Sequence, residues 1–177
     1  LFVVTIGIVF AVIGSHKKEN NPSVADNQNN ETTAEPTTEE ETTTKVPTVE
    51  VDLMMIGDML MHEGVVKSGL MDDGTYNFDH LYTNIAKDIS SADIKIVNQE
   101  TILGGSDFAY TGYPTFNSPW ALGDAEVKAG FNIILHATNH TLDKGLKGVE
   151  NCLSFWKTYH PDTTVLGINE TEEDYEN

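Results

Sequence analysis

The chain has 177 residues, with 28 Asp and Glu against 10 Lys and Arg, for a formal net charge of −18. Nucleic-acid binding needs a basic footprint, so this balance argues against it. The single cysteine, Cys152, excludes an internal disulfide framework and any cysteine-based zinc cluster.

The chain opens at Leu1 rather than Met, so an upstream start is expected. Leu1–Gly14, LFVVTIGIVFAVIG, is apolar apart from Thr5. Two readings stay open: the end of an uncleaved membrane anchor, or the apolar core of a cleaved signal. No A-x-A site and no cysteine for lipid attachment follows, which favours the anchor. Residues 15–48 are built from Asn, Thr, Glu and Pro, including TTAEPTTEEETTT. Apolar residues are too sparse there to offset the entropy of ordering, so a disordered stalk outside the membrane is expected. A membrane-anchored or secreted protein follows, with its folded domain over residues 49–177 on the extracytoplasmic side.

Val49–Ile56 ends in the apolar run Leu53-Met54-Met55-Ile56 and reads as a strand closing at Gly57-Asp58. If Met59–Lys67 is helical, Asp58 and His62 share a face; the competing reading makes Asp58 the helix cap. Asn77–Ser90 has apolar residues at Phe78, Leu81, Ile85 and Ile89, the spacing of an amphipathic helix. Asp93–Val97 reads as the next strand and runs into Asn98-Gln99-Glu100. After a Gly/Tyr/Pro-rich loop, Ser118 and Pro119 suit the start of a helix, and Gly130 suits its end.

Ile133-Ile134-Leu135 predicts a third, buried strand, and Thr138-Asn139-His140 follows it. Leu146, Val149, Leu153 and Trp156 form the apolar stripe of a helix over Gly145–Tyr159, with Cys152 beside it as a packing residue. Thr163–Leu166 is expected as a fourth strand, and the acidic tail Glu170–Asn177 has no visible element. His136 is read as a strand histidine packed against the core, and His80 as a helix-surface residue.

Strands alternating with helices imply an α/β fold with a largely parallel sheet. In such sheets ligands bind outside the carboxyl ends of the strands. Three successive strands end in metal-competent residues: Asp58, then Asn98 and Glu100, then Asn139 and His140. Carboxylate, amide and imidazole together favour Mn²⁺, Fe or Zn²⁺ over copper or iron–sulfur. A carboxylate bridging two ions would suit hydrolysis by an activated water.

Four stretches carry a resemblance: IGDMLMHEGV (Ile56–Val65), ADIKIVNQET (Ala92–Thr101), YPTFNSP (Tyr113–Pro119) and GFNIILHATNHTLDKG (Gly130–Gly145). In order and spacing, the region from Val51 to Gly167 resembles the N-terminal part of the CapA family, the poly-γ-glutamate capsule biosynthesis proteins. That family is similar to the calcineurin-like metallophosphoesterases, so the resemblance implies a layered αββα sandwich and a site for two divalent metal ions. It implies that Asp58 and Glu100 are metal-site carboxylates, Glu100 bridging. It further implies that Asn139 is a ligand and His140 the proton donor to the leaving oxygen. Asp143 matches the acidic residue after the Asn-His pair and either orients His140 or caps the helix. His62, Asn98 and Asn117 are further candidates. Two departures stand out: Thr138 replaces the second Asn many members carry, and Leu60 stands where the phosphoesterases have the histidine of Asp-x-His. The family's later histidine motifs and second sheet are expected beyond Asn177, leaving only the first half of the sandwich here.

Two functions follow. One is a metal-dependent hydrolase-type protein that makes or attaches poly-γ-glutamate, acting on a phosphoester or on the polymer's γ-amide. The other is a non-catalytic tethered component that binds or exports the anionic polymer, with the metal site as an anion clamp. Other capsule-synthesis membrane proteins are expected partners in either case.

Overall fold

The computed structural model describes residues 48–176. The expected anchor or signal and all but the last residue of the expected stalk lie outside them. Four strands and five helices alternate: β1 (Leu53–Ile56), α1 (Glu63–Ser68), α2 (Ala86–Ser91), β2 (Ile94–Asn98), α3 (Trp120–Ala129), β3 (Ile133–Leu135), α4 (Gly145–Tyr159), β4 (Thr164–Leu166) and α5 (Glu172–Glu176). Every pairing is parallel and the strand order is β1-β2-β3-β4. The expected α/β class is therefore observed, as one sheet consistent with part of a metallophosphoesterase-like fold. Among the described residues, no helix is long and apolar enough to cross a membrane.

A parallel sheet in sequential order has consequences for its two faces. Crossovers between parallel strands are right-handed, so helices that join strands laid down in one direction all collect on one face. The register puts Ile56, Val97, Ile134 and Val165 in one row across the sheet. That row, with Met54, packs into a core shared with Val66 of α1, Ile89 of α2, Leu122 and Ala125 of α3, and Cys152, Phe155 and Trp156 of α4. The alternate residues Leu53, Met55, Ile94, Ile96, Ile133, Leu135 and Leu166 lie outside this core, and Met55 and Leu166 are about half exposed, at 53% and 49%. A two-faced apolar sheet is the pattern of a strand layer meant to be covered on both sides. We expect the 177-residue polypeptide to bind an apolar fluorescent dye well above the level of a well-packed globular control, and Ile96→Thr with Ile133→Thr to reduce that binding. Dye binding at the control level would contradict an open face.

Several elements differ from expectation. The helix expected over Asn77–Ser90 is interrupted: a 3₁₀ turn covers Asp79–Leu81, and α-helix begins only at Ala86. Asn77 Oδ1 takes the Asp79 N–H at 2.9 Å, and the Asp79 carboxylate is drawn to Lys128 on α3. Such local side-chain bonds compete with helical pairing. The apolar face survives the break, since Phe78 and Ile89 are fully buried. His80 is exposed, with its ring nitrogen 3.1 Å from the Ser68 hydroxyl.

Pro119, not Ser118, stands at the cap position of α3, because the Ser118 hydroxyl pairs with Thr101 at 2.7 Å. Gly130 ends α3 as expected, in the left-handed conformation at φ 107°. On α4 the buried face is Gly148, Asn151, Cys152, Phe155 and Trp156, while Leu146 is 75% exposed. The buried Asn151 amide, which donates to Gly104 O at 2.9 Å, explains the rotation of that face away from the apolar stripe. The acidic tail forms the short, exposed α5.

Candidate metal centre

The parallel sheet brings the carboxyl ends of β1, β2 and β3 to one edge. At the end of β1 the backbone passes so close to β2 that a Cβ on Gly57 would lie 2.8 Å from the Asn98 Cβ, which accounts for glycine there. Met59 N–H then donates to Asn98 O at 2.9 Å, carrying the ladder past the strand. The Asp58 carboxylate, exposed, accepts a hydrogen bond from the Asn98 amide. Asp58 does not cap α1, which begins five residues on with His62 at its cap position. The helix expected from Met59 is thus shorter, and the shared helical face for Asp58 and His62 does not form.

From β2 the chain runs through buried Gln99 to half-buried Glu100. From β3 it enters the turn from His136 to Thr141, where hydroxyl groups replace a regular backbone ladder. Thr138 Oγ1 donates to Glu100 O at 2.7 Å, and the single proton of Thr141 Oγ1 is shared between Thr138 O, at 2.9 Å, and His136 O. This turn presents His140 to Glu100, with Nε2 4.0 Å from Oε1.

His140 is held from its other side. Its Nδ1 lies 2.8 Å from Asp143 Oδ2, the oxygen that also accepts the Phe116 N–H at 2.6 Å. An acceptor at Nδ1 assigns the proton to that nitrogen and leaves Nε2 facing Glu100. The Phe116 ring packs edge-on against His140, centroids 4.5 Å apart. Asp143 therefore orients His140; α4 has Lys144 at its cap position and no side-chain cap, so the capping alternative falls. The sequence reading missed Phe116, whose only signal was its place inside the YPTFNSP motif.

The remaining candidates are distributed differently. Asn98 is at the site, paired with Asp58. His62 is exposed and meets Phe116 edge-on at 5.3 Å. Asn117 is fully buried, and its amide donates to the carbonyls of Gly105, Phe108 and Ala109 at 3.0–3.3 Å, so it braces the loop. Asn139 is exposed at the turn, and none of the described residues hydrogen-bonds its side chain.

Two buried groups turn into the core. His136 is buried as a core histidine, as expected. Its Nε2 accepts the Trp156 indole N–H at 2.9 Å, and burial lowers its pKa to about 4. Cys152 Sγ sits 3.6 Å from the same nitrogen, and burial pushes its pKa up to about 12, so it stays a packed thiol.

The donors at the edge are oxygens from Asp58 and Glu100, the amides of Asn98 and Asn139, and the His140 imidazole. In kind they fit a divalent Mn²⁺, Fe or Zn²⁺ ion. Among the described residues, no three His, Cys, Asp or Glu side chains are grouped to hold a metal.

A family model described as bacterial capsule synthesis protein PGA_cap matches residues 52–177. The chain belongs to that family. Membership agrees with the CapA resemblance carried by the four motifs, and it supports a role in bacterial capsule synthesis. All four motifs lie inside the matched region. No curated protein matches the chain.

Proposed function

We propose that this capsule synthesis protein is a metal-dependent hydrolase-type protein that makes or attaches poly-γ-glutamate outside the cytoplasm. In this reading Asp58, Glu100 and Asn139 would hold two divalent ions. When bound, the ions would supply charge neutralisation and an activated water. His140, doubly protonated and with its Nδ1–H held by Asp143 and its ring packed on Phe116, would deliver the Nε2 proton to the leaving oxygen or nitrogen and return to the neutral Nδ1–H form. The supporting observation is the Asp143–His140–Glu100 line at the carboxyl edge, with spacings of 2.8 and 4.0 Å. A histidine braced at one nitrogen and open at the other is the arrangement general acid catalysis requires. The apolar Leu1–Gly14 followed by a polar stretch supports attachment to the outer membrane face.

The test is hydrolysis of a generic phosphodiester, and of poly-γ-glutamate, by full-length protein with Mn²⁺. Polymer binding without hydrolysis of either would favour the tethered polymer-binding component instead. Glu100→Ala is expected to lose bound metal, counted by elemental analysis of the purified variant. Full metal content in that variant would refute Glu100 as a ligand.

A further inference from the structure

We infer that Thr138 is a positioning residue whose single hydroxyl fixes Glu100 and His140 relative to each other. This rests on the reading of Glu100 and His140 as site residues. A threonine hydroxyl has one proton to give and lone pairs to receive. The proton of Thr138 Oγ1 goes to Glu100 O at 2.7 Å, since a carbonyl can only accept. A lone pair of the same atom accepts the His140 N–H at 3.1 Å. One oxygen atom thus bonds the backbones of both residues, from two strand ends separated by 38 positions between Glu100 and Thr138. His136, at the start of the turn, is tied to Leu166 O, Trp156 and the Gln99 backbone, whereas the remaining contacts of Thr138 are local. Thr138 N–H donates to His136 O at 2.9 Å, and Thr141 Oγ1 takes the Thr138 N–H at 3.1 Å. Those bonds shape the turn but do not reach β2. Among the described residues, the Thr138 hydroxyl is the one side-chain hydrogen bond that ties this turn to Glu100.

The geometry it sets is the 4.0 Å approach of His140 Nε2 to Glu100 Oε1. Asp143 fixes the rotation of the imidazole ring, whereas Thr138 fixes where the backbone carrying that ring stands against β2. Groups that orient metal ligands from behind typically matter tenfold to a hundredfold for affinity.

The test compares Thr138→Val, which keeps the shape and loses the hydroxyl, with Thr138→Ser, which keeps the hydroxyl. Both are made in the full chain. The first readout is amide hydrogen exchange at His140. The second is the Mn²⁺ dissociation constant from electron paramagnetic resonance. Thr138→Val is expected to speed exchange at His140 by about tenfold, the loss of one net hydrogen bond. It is expected to weaken Mn²⁺ binding by about 10–100-fold. Thr138→Ser is expected to stay within about threefold of wild type on both readouts, because its hydroxyl rebuilds both bonds. Unchanged exchange in Thr138→Val, or a serine variant as impaired as the valine one, would overturn the inference. If the valine variant does not fold, Thr138→Ala carries the same comparison. If the wild-type protein binds no Mn²⁺, the metal reading falls, and the exchange rate at His140 alone decides whether Thr138 is the pin.

Discussion

Replacing His140 with alanine in the full-length protein is expected to lower turnover by roughly 10²–10⁴-fold and to leave its metal content unchanged. That range is the usual worth of a positioned acid or base. The division between the two readouts follows from the geometry. His140 Nδ1 is occupied by Asp143 at 2.8 Å, so a single nitrogen, Nε2, remains for chemistry. A nitrogen 4.0 Å from a carboxylate oxygen is too far for a hydrogen bond to it, so Glu100 does not engage Nε2. Asp143→Asn is expected to act through the same histidine, because a neutral amide cannot stabilise the protonated imidazole as the carboxylate beside Nδ1 does. Its metal content should also be unchanged, while turnover falls. Elemental analysis and turnover measured on the same preparations separate the roles. Loss of metal in His140→Ala would make the residue a ligand, and full activity in either variant would remove the dyad from the mechanism.

The strands were legible because the signal that marks them is local. Runs such as Leu53–Ile56 and Ile133–Leu135 are short, apolar and closed by polar residues, and each forms the strand it suggests. The strand ends that carry the candidate site residues were legible for the same reason, since those residues follow the apolar runs within a few positions. What stayed hidden depends on partners distant in sequence. Ser118 looked like a helix cap, but its hydroxyl belongs to Thr101, 17 positions away. Leu146 fitted an apolar stripe, but the face of α4 is set by the Asn151 amide reaching Gly104, 47 positions away. The expected helix after Asn77 was broken in part by an Asp79 drawn to Lys128. Asn117 looked like a donor beside the site, and burial turned it into a brace for its loop. Glu126 gave no signal at all, because a glutamate in a helix is ordinarily a surface residue.

Glu126 should make the stability of the domain fall with rising pH, and Glu126→Gln should abolish that contribution. The side chain is fully buried on α3, and neither carboxyl oxygen has a hydrogen bond of normal geometry. The Tyr82 hydroxyl acts on it and is itself buried without such a bond. Burial raises the Glu126 pKa well above the usual carboxylate range, and Tyr82 only partly opposes this. In the unfolded chain the same group ionises near pH 4.3, roughly its free value. Above that pH the folded state holds a proton that the unfolded state has released. Stability from this group is therefore complete below the unfolded pKa and is lost as pH rises toward the folded one, by about 1.4 kcal/mol per pH unit. His136 works in the opposite sense. Its folded pKa is lowered to about 4 by burial, so its contribution is present above the free value of a histidine and lost as pH falls toward 4. Above the free carboxylate value the Glu126 slope runs until the pH reaches its folded pKa, opposed by His136 below about pH 6.5 and joined by buried Cys152 above the free thiol value. Urea titrations of wild type and Glu126→Gln from pH 4 to 9 test this. The two curves should meet at the acid end and separate above it until Glu126 ionises in the folded protein too, with the glutamine variant the more stable. Parallel curves across that range would show that Glu126 does not hold its proton in the folded protein.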